Sequence, residues 1–419
     1  MSKSIFMAAM VLGTVATAGG GELNATAQLG KQIFFDKNLS INRNQSCATC
    51  HAAEVGWTGP DSSLNSRSGV YSGSIPERFG NRKPPSAAYV AQSPVLHYDK
   101  KEKVFVGGNF WDGRATGKRL KSPVAEQAQG PFLNPLEHGF TDAACVVNRV
   151  CTAPYGTSLE QLWPGSCAIT WPVDIFSGCG IDAYKAQLAA VERAKVDLAF
   201  DRIALAIAAF ESSAEVNPFS SRFDAWQAGK GTLTRQELLG LALFNKKGKC
   251  AECHPSAGKR PLFTDFTYDN LGIPRNSGNP FYTQKAYNPE GAVWTDPGLG
   301  GFMANEKSYQ AKARAHFGSH KVPTLRNVDK RPSADFTKVY GHNGYFKSLK
   351  EIVHFYNTRD TLPVCKPGDK GERISCWPLP ETAMNMNTEE LGNLGLSDAE
   401  EDALVAFMKT LTDGETGHR

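Results

Sequence analysis

Leu29-Gly30-Lys31-Gln32-Ile33-Phe34, followed by Cys47-Ala48-Thr49-Cys50-His51, is a phrase that the chain writes twice. It returns as Leu239-Gly240-Leu241-Ala242-Leu243-Phe244, followed by Cys250-Ala251-Glu252-Cys253-His254. Each copy predicts a helix ending in Phe, a short loop and a Cys-x-x-Cys-His turn. Each half also closes on a similar run, Ala206-Ile207-Ala208-Ala209-Phe210 and Ala403-Leu404-Val405-Ala406-Phe407, with apolar residues at helical spacing. Ser397 and Glu400 resemble a capping box ahead of the second run. The seam between the halves falls near Asn217–Gly231, before Leu233-Thr234 opens the next helix.

Two thiols three residues apart on one turn can form thioethers to the two vinyl groups of a haem. The next residue, His, then lies under the iron as its proximal ligand. A structural zinc site needs four ligands, and Cys-x-x-Cys plus one His does not supply them. The pattern therefore predicts two covalently bound c-type haems. Cys47, Cys50 and His51 hold one, and Cys250, Cys253 and His254 the other. The expected fold is mainly α, two cytochrome-c-like haem domains in tandem with long loops. Residues 22–216 form the first domain and 217–419 the second.

Bulk properties agree with an exported, loop-rich chain. Of 419 residues 41% are apolar, enough for two cores, and 40 Gly with 24 Pro point to long connections. Met1-Ser2-Lys3-Ser4, an apolar run from Ile5 and Ala16-Thr17-Ala18 read as a signal peptide, residues 1–18, cleaved on export to the periplasm. No other run is long enough to span a bilayer, so no membrane span is expected in the mature chain. A net charge of +4 with no basic patch implies no nucleic-acid partner. Six cysteines lie outside the haem motifs. An even number in an exported protein predicts disulfides. Cys365 and Cys376 stand apart and are expected to pair, while Cys145, Cys151, Cys167 and Cys179 allow three pairings.

Further landmarks follow in order: Phe110-Trp111-Asp112-Gly113-Arg114, Gln127-Ala128, Gly130-Pro131, Asn134-Pro135-Leu136-Glu137, Val322-Pro323-Thr324-Leu325-Arg326-Asn327 and His342-Asn343-Gly344. With the two haem motifs, they make the mature chain resemble the bacterial dihaem cytochrome c peroxidase family, which includes MauG. The resemblance implies that hydrogen peroxide meets the N-terminal haem. It implies too that the C-terminal haem takes electrons from a small donor protein, a c-type cytochrome or a cupredoxin. Trp111 would lie between the haems as a relay. Glu137 matches the distal carboxylate and Gln127 its neighbour. A carboxylate in a dry pocket can take a proton from one peroxide oxygen and return it to the other. A homodimer is compatible with the resemblance.

Several positions depart from the family pattern. The stretch between Trp111 and Gln127 is long and reads as a loop insertion. Residues 141–195 are an enlarged region carrying four cysteines. His138 follows the distal Glu where Met is usual, and a solvent-facing loop role is expected of it ahead of a proton or iron-binding role. The loop Ser62–Asn81 has no His, and His97 lies beyond it, so the first haem would be open to peroxide without prior reduction. The resemblance allows one calcium ion between the haem domains. Lys83 stands at the position of an Asn ligand, and an ammonium cannot ligate calcium but can replace its charge. Asn81 is the substitute donor.

The family's sixth ligand to the second iron is a Met on a helix that here reads Leu349-Lys350-Glu351-Ile352-Val353-His354-Phe355-Tyr356. Tyr356 takes the Met position and shares one helical face with Leu349, Ile352 and Val353. It is the expected ligand. Met384 and Met386 are rivals, and His354 is on the wrong face. The leading functional expectation is a periplasmic peroxidase that reduces hydrogen peroxide to water. The rivals are a MauG-like oxidase acting on a partner protein, and a dihaem electron carrier without substrate. Glu137 and Gln127 argue against the carrier, which needs no distal acid.

Overall fold

The computed structural model describes residues 22–366 and 368–415. The expected signal peptide, residues 1–18, lies outside them. The described chain is mainly helical, with two small antiparallel hairpin-like pairs, His97–Asp99 with Val104–Val106 and Tyr268–Asp269 with His320–Lys321. Among the described residues no helix is long and apolar enough to cross a membrane.

The repeated phrase is a repeated helix crossing. Helix Ala25–Phe35 packs on the long helix Ala190–Glu211, and helix Arg235–Phe244 packs on helix Asp398–Lys409. Glycine at the second position of Leu-Gly is what lets the backbones meet. A Cβ on Gly30 would stand 1.8 Å from the Ala206 carbonyl oxygen, and one on Gly240 would stand 1.9 Å from that of Ala403. The aromatic that ends each first helix then meets the aromatic of its partner. Phe34 and Phe210 ring centres are 5.4 Å apart, and Phe244 and Phe407 are 5.2 Å apart, all four fully buried. Edge-to-face contacts of this kind add to the area they bury.

Capping fixes where these helices start. Thr234 with Glu237, and Ser397 with Glu400, form reciprocal capping boxes. A third box, Ser221 with Asp224, opens a short helix Arg222–Gln227 inside the stretch read as a seam. One hydrophobic core runs from Leu29 to Val216 and a second from Phe223 to Leu411. A small third cluster joins Leu96 and Phe105 of the first half to Leu299, Met303 and Ala313 of the second.

The enlarged region contains helices Ala143–Thr152, Gly156–Leu162 and Ile175–Gly178. Disulfides Cys145–Cys179 and Cys151–Cys167 staple it, one of the three pairings open to the sequence. Cys365 pairs with Cys376. Arg149 fastens this region to the first core through the carbonyls of Asn38, Ser40 and Cys179. The long stretch after Trp111 is a tight loop. The Glu126 carboxylate accepts from the amides of Gly117, Arg119 and Leu120 and folds the loop onto helix Pro123–Leu133.

Candidate active site: two cavities with a shared wall

Each Cys-x-x-Cys-His turn opens on a cavity. The N-terminal cavity is lined by Cys47, Cys50 and His51. The C-terminal cavity, the roomier of the two, is lined by Cys250, Cys253 and His254. None of the four cysteines is in a disulfide. Each histidine is oriented by a carbonyl: His51 Nδ1 lies 3.2 Å from Trp57 O, and His254 Nδ1 lies 2.7 Å from Phe263 O. That contact assigns the proton to Nδ1 and leaves Nε2 as the lone-pair donor. Burial pushes His51 down to about 4 and lowers His254 as well, so both are neutral imidazoles fit to bind iron. The thiols, neutral imidazoles and mostly apolar walls fit two c-type haems.

Helix Pro123–Leu133 and the turn that follows it set the distal side of the first cavity. Gln127 on the helix and Glu137 after it both line the cavity. Asn134 Nδ2 donates to Glu137 Oε1 at 2.6 Å and orients the carboxyl group. Burial raises the Glu137 carboxyl above its ordinary range, opposed by the charge of Arg114 and the bond from Asn134. A carboxyl group tuned upward in a dry cavity is suited to proton exchange.

His138 corrects the sequence expectation of a solvent-facing role. It is 3% exposed, its Nδ1 contacts Leu39 O at 2.6 Å, and its ring stands edge-on to Phe132 at 4.9 Å. It lines the first cavity, and burial pushes it down to about 4. His97, by contrast, is exposed on its hairpin. Sequence reading also missed Glu211, at the end of helix Ala190–Glu211. It lines the same cavity, its Oε2 has no hydrogen-bond partner, and burial pushes it up to about 8. The Glu directly after the repeated Ala-x-x-x-Phe run was the available signal, since Met408 occupies that place in the second copy.

Trp111 stands in the wall common to both cavities. It is buried, its Nε1 donates to Lys83 O at 3.0 Å, and its own carbonyl accepts from the Lys321 amide at 2.8 Å. Its neighbour Asp112 pairs with Arg82 and Arg114, which locks the turn. Pro85, Ser86, Lys321, Val322, Pro323 and Thr324 complete the common wall.

In the second cavity Tyr356 lines the wall with Leu349, Ile352 and Val353, as their shared helical face requires. Burial raises its phenol above the ordinary range. Met384 is half exposed and Met386 packs its sulfur on Gly272; neither is among the lining residues. Both ring nitrogens of His354 are engaged, by Glu401 at 2.9 Å and Ile374 O at 3.0 Å.

The residues around Lys83 do not fit calcium. Beside it the Lys338 ammonium donates to three carbonyl oxygens, Val55 at 2.8 Å, Asn327 at 2.7 Å and Lys330 at 3.1 Å. Three oxygens already held by one lysine side chain have no place for a metal ion.

A family model described as di-haem cytochrome c peroxidase matches residues 24–232. Methylamine utilization protein MauG of Paracoccus denitrificans is 34% identical, over 93% of this chain and 89% of that one. Cytochrome c551 peroxidase of Nitrosomonas europaea is 28% identical, over 78% of this chain and 71% of its own length. The crystal structure of the diheme peroxidase BthA from Burkholderia thailandensis superposes with a TM-score of 0.73 at 30% identity, covering 94% of this chain and 88% of that one. With two haem-binding turns, two cavities and one wall between them, this chain belongs to the di-haem cytochrome c peroxidase family of oxidoreductases.

Proposed function

We propose that the protein is a periplasmic peroxidase that reduces hydrogen peroxide at the N-terminal haem. The observation that carries this reading is Glu137, an oriented carboxyl group raised by burial, in the cavity that His51 opens on. The haem iron supplies the electron-transfer chemistry. The chain's own part is the protons: H2O2 plus two protons and two electrons gives two water molecules. Glu137 would take a proton from one peroxide oxygen and return it to the other. Gln127 orients the peroxide. Among the described residues the histidines lining this cavity are His51 and His138. The lack of a histidine in the loop 62–81 supports a first haem open to peroxide without prior reduction.

In this reading each half is a cytochrome-c-like domain, residues 22–216 and 217–419. Electrons enter at the C-terminal haem from a small c-type cytochrome or cupredoxin and cross at Trp111. Three disulfides support an oxidising compartment. Glu137→Gln, which keeps the shape and removes the base, is expected to slow peroxide turnover by roughly a hundredfold or more with both haems bound. Unchanged turnover refutes the assignment.

A second reading, oxidation of a partner protein, draws on Tyr356. A hard tyrosinate ligand favours ferric iron and lowers the potential, whereas a thioether raises it. Recording the near-infrared thioether band in wild type, Tyr356→Phe and Met386→Leu separates the two ligand sets. A wild-type band that only Met386→Leu abolishes makes Tyr356 a packing residue.

A further inference from the structure

The second cavity has an apolar end and a polar end. Leu391, Leu394, Leu396, Leu404 and Met408 line the first. Asp296, His320, His342, Glu381 and Thr382 line the second. At the polar end the rings of His320 and His342 lie face to face, 3.6 Å between centres and 9° between planes. His320 Nε2 is 3.3 Å from Asp296, and His342 Nε2 is 3.8 Å from Glu381, both outside hydrogen-bond geometry. His320 Nε2, His342 Nε2, Glu381 Oε2 and Thr382 Oγ1 are all buried without a hydrogen-bond partner. Four orphaned polar atoms in one buried wall call for a ligand.

A metal ion is not that ligand. Parallel rings aim their lone pairs side by side, not at a common point. Both oxygens of Asp296 are also already taken, by Arg82 Nε at 2.6 Å and Nη2 at 2.7 Å. A haem offers something else: an apolar edge for the apolar end, and two carboxylates for the polar end.

We infer that the stacked pair His320–His342, backed by Asp296 and Glu381, receives the carboxylates of the C-terminal haem and holds one proton that follows the haem's electron. Two imidazoles in face contact cannot both be charged, because the second charge would sit against the first in a dry cavity. The pair therefore counts to one. When an electron arrives from the donor protein, one proton arrives from solvent and binds the pair; on re-oxidation both leave. The other charged and titratable groups near the pair already have partners of their own. Lys321, which burial pushes down to about 7, donates to Ser93 Oγ and to the carbonyls of Gly107 and Gly108, and its titration stays in the histidine variants. Arg82 is paired with Asp296 and Asp112, and Glu381 accepts from Tyr282 at 2.6 Å with Arg275 at 3.9 Å. Lys83 donates its amide to His342 O, and its side chain lies toward Trp111. The inference rests on the C-terminal cavity holding a haem and on nothing about peroxide.

The test is a spectroelectrochemical titration of the C-terminal haem in the full dihaem protein between pH 5 and pH 8. The midpoint potential is expected to fall as pH rises, approaching a tenfold change in the equilibrium constant per pH unit. A flat wild-type profile overturns the inference. The double variant His320→Phe with His342→Phe keeps aromatic rings in the stack and is expected to flatten the slope, with haem content checked optically. A slope that survives in it overturns the inference. Glu381→Gln is the conservative variant should a Phe variant lose haem. Removing the carboxylate weakens the imidazole's hold on its proton, so the break moves to lower pH, and an unmoved break is equally fatal. Peroxide turnover plays no part in the readout, so a protein with another activity shows the same pH profile.

Discussion

In the proposed reading Trp111 is the residue on which communication between the halves turns. It is hydrogen-bonded on both sides and lies in the wall that both cavities share. Trp111→Phe keeps the packing, so haem content is expected to be unchanged while rapid mixing shows slower electron delivery after peroxide binds. Equal inter-haem rates would make it a packing residue. Glu211 gives a second residue-scale prediction. Its carboxyl is pushed up to about 8 by burial, so the folded protein holds a proton there that the unfolded chain releases near 4.5. Between those values the folded state binds more protons, and stability falls as pH rises. Glu211→Gln is expected to remove a loss of about 2 kcal/mol between pH 5.5 and pH 7.5. Denaturant titrations at the two pH values check it. Residues such as Cys47 or His254 are legible in the chain because their chemistry is local, two thiols and an imidazole on one turn. His138 is not, because the carbonyl that buries it belongs to Leu39, a separation of 99 positions.

The helix crossings carry the prediction at the scale of elements. Gly30→Ala would put a Cβ 1.8 Å from a backbone oxygen that no rotamer can move. A cost of about 3 kcal/mol is expected by denaturant unfolding of the dihaem protein. Gly180→Ala is the control: its nearest contact is an ordinary 3.6 Å, and a change under about 0.5 kcal/mol is expected. The pairing of these helices could be read from the repeat, since apolar spacing and the Leu-Gly step recur in both halves. The pairing of Cys145 with Cys179 could not, because it depends on how helix Ala143–Thr152 turns back against Ile175–Gly178. The stacked histidines were equally hidden: one sits on a two-residue strand and the other in a Gly-rich turn.

For the whole molecule, the side chain that ties the halves together at this point is Lys338. Lys338 and two of its acceptors belong to the second half, and Val55 to the first. Dialysis against a chelator is therefore expected to leave the haem spectra and the inter-haem rate unchanged, with no calcium retained by elemental analysis. Lys338→Met leaves the Val55 and Lys330 carbonyls without a donor, Asn327 O keeping the Lys330 amide, and is expected to cost about 3 kcal/mol, again by denaturant unfolding. A chelator-sensitive wild type would contradict this account. Lys83 pointed toward this outcome in the sequence, but Lys338 is the side chain that makes the three carbonyl bonds, and nothing in its neighbourhood along the chain marks it.

The common wall has one more consequence. Pro85, Ser86, Trp111, Lys321, Val322, Pro323 and Thr324 each face two cofactor chambers at once. A mutation at any of them has two readers. Evolution cannot retune one chamber through these positions without disturbing the other, so they are poor places to acquire a new substrate or a new donor. Novelty has to be written in the outer walls, where the distal acid on one side and the tyrosine on the other each have a single audience.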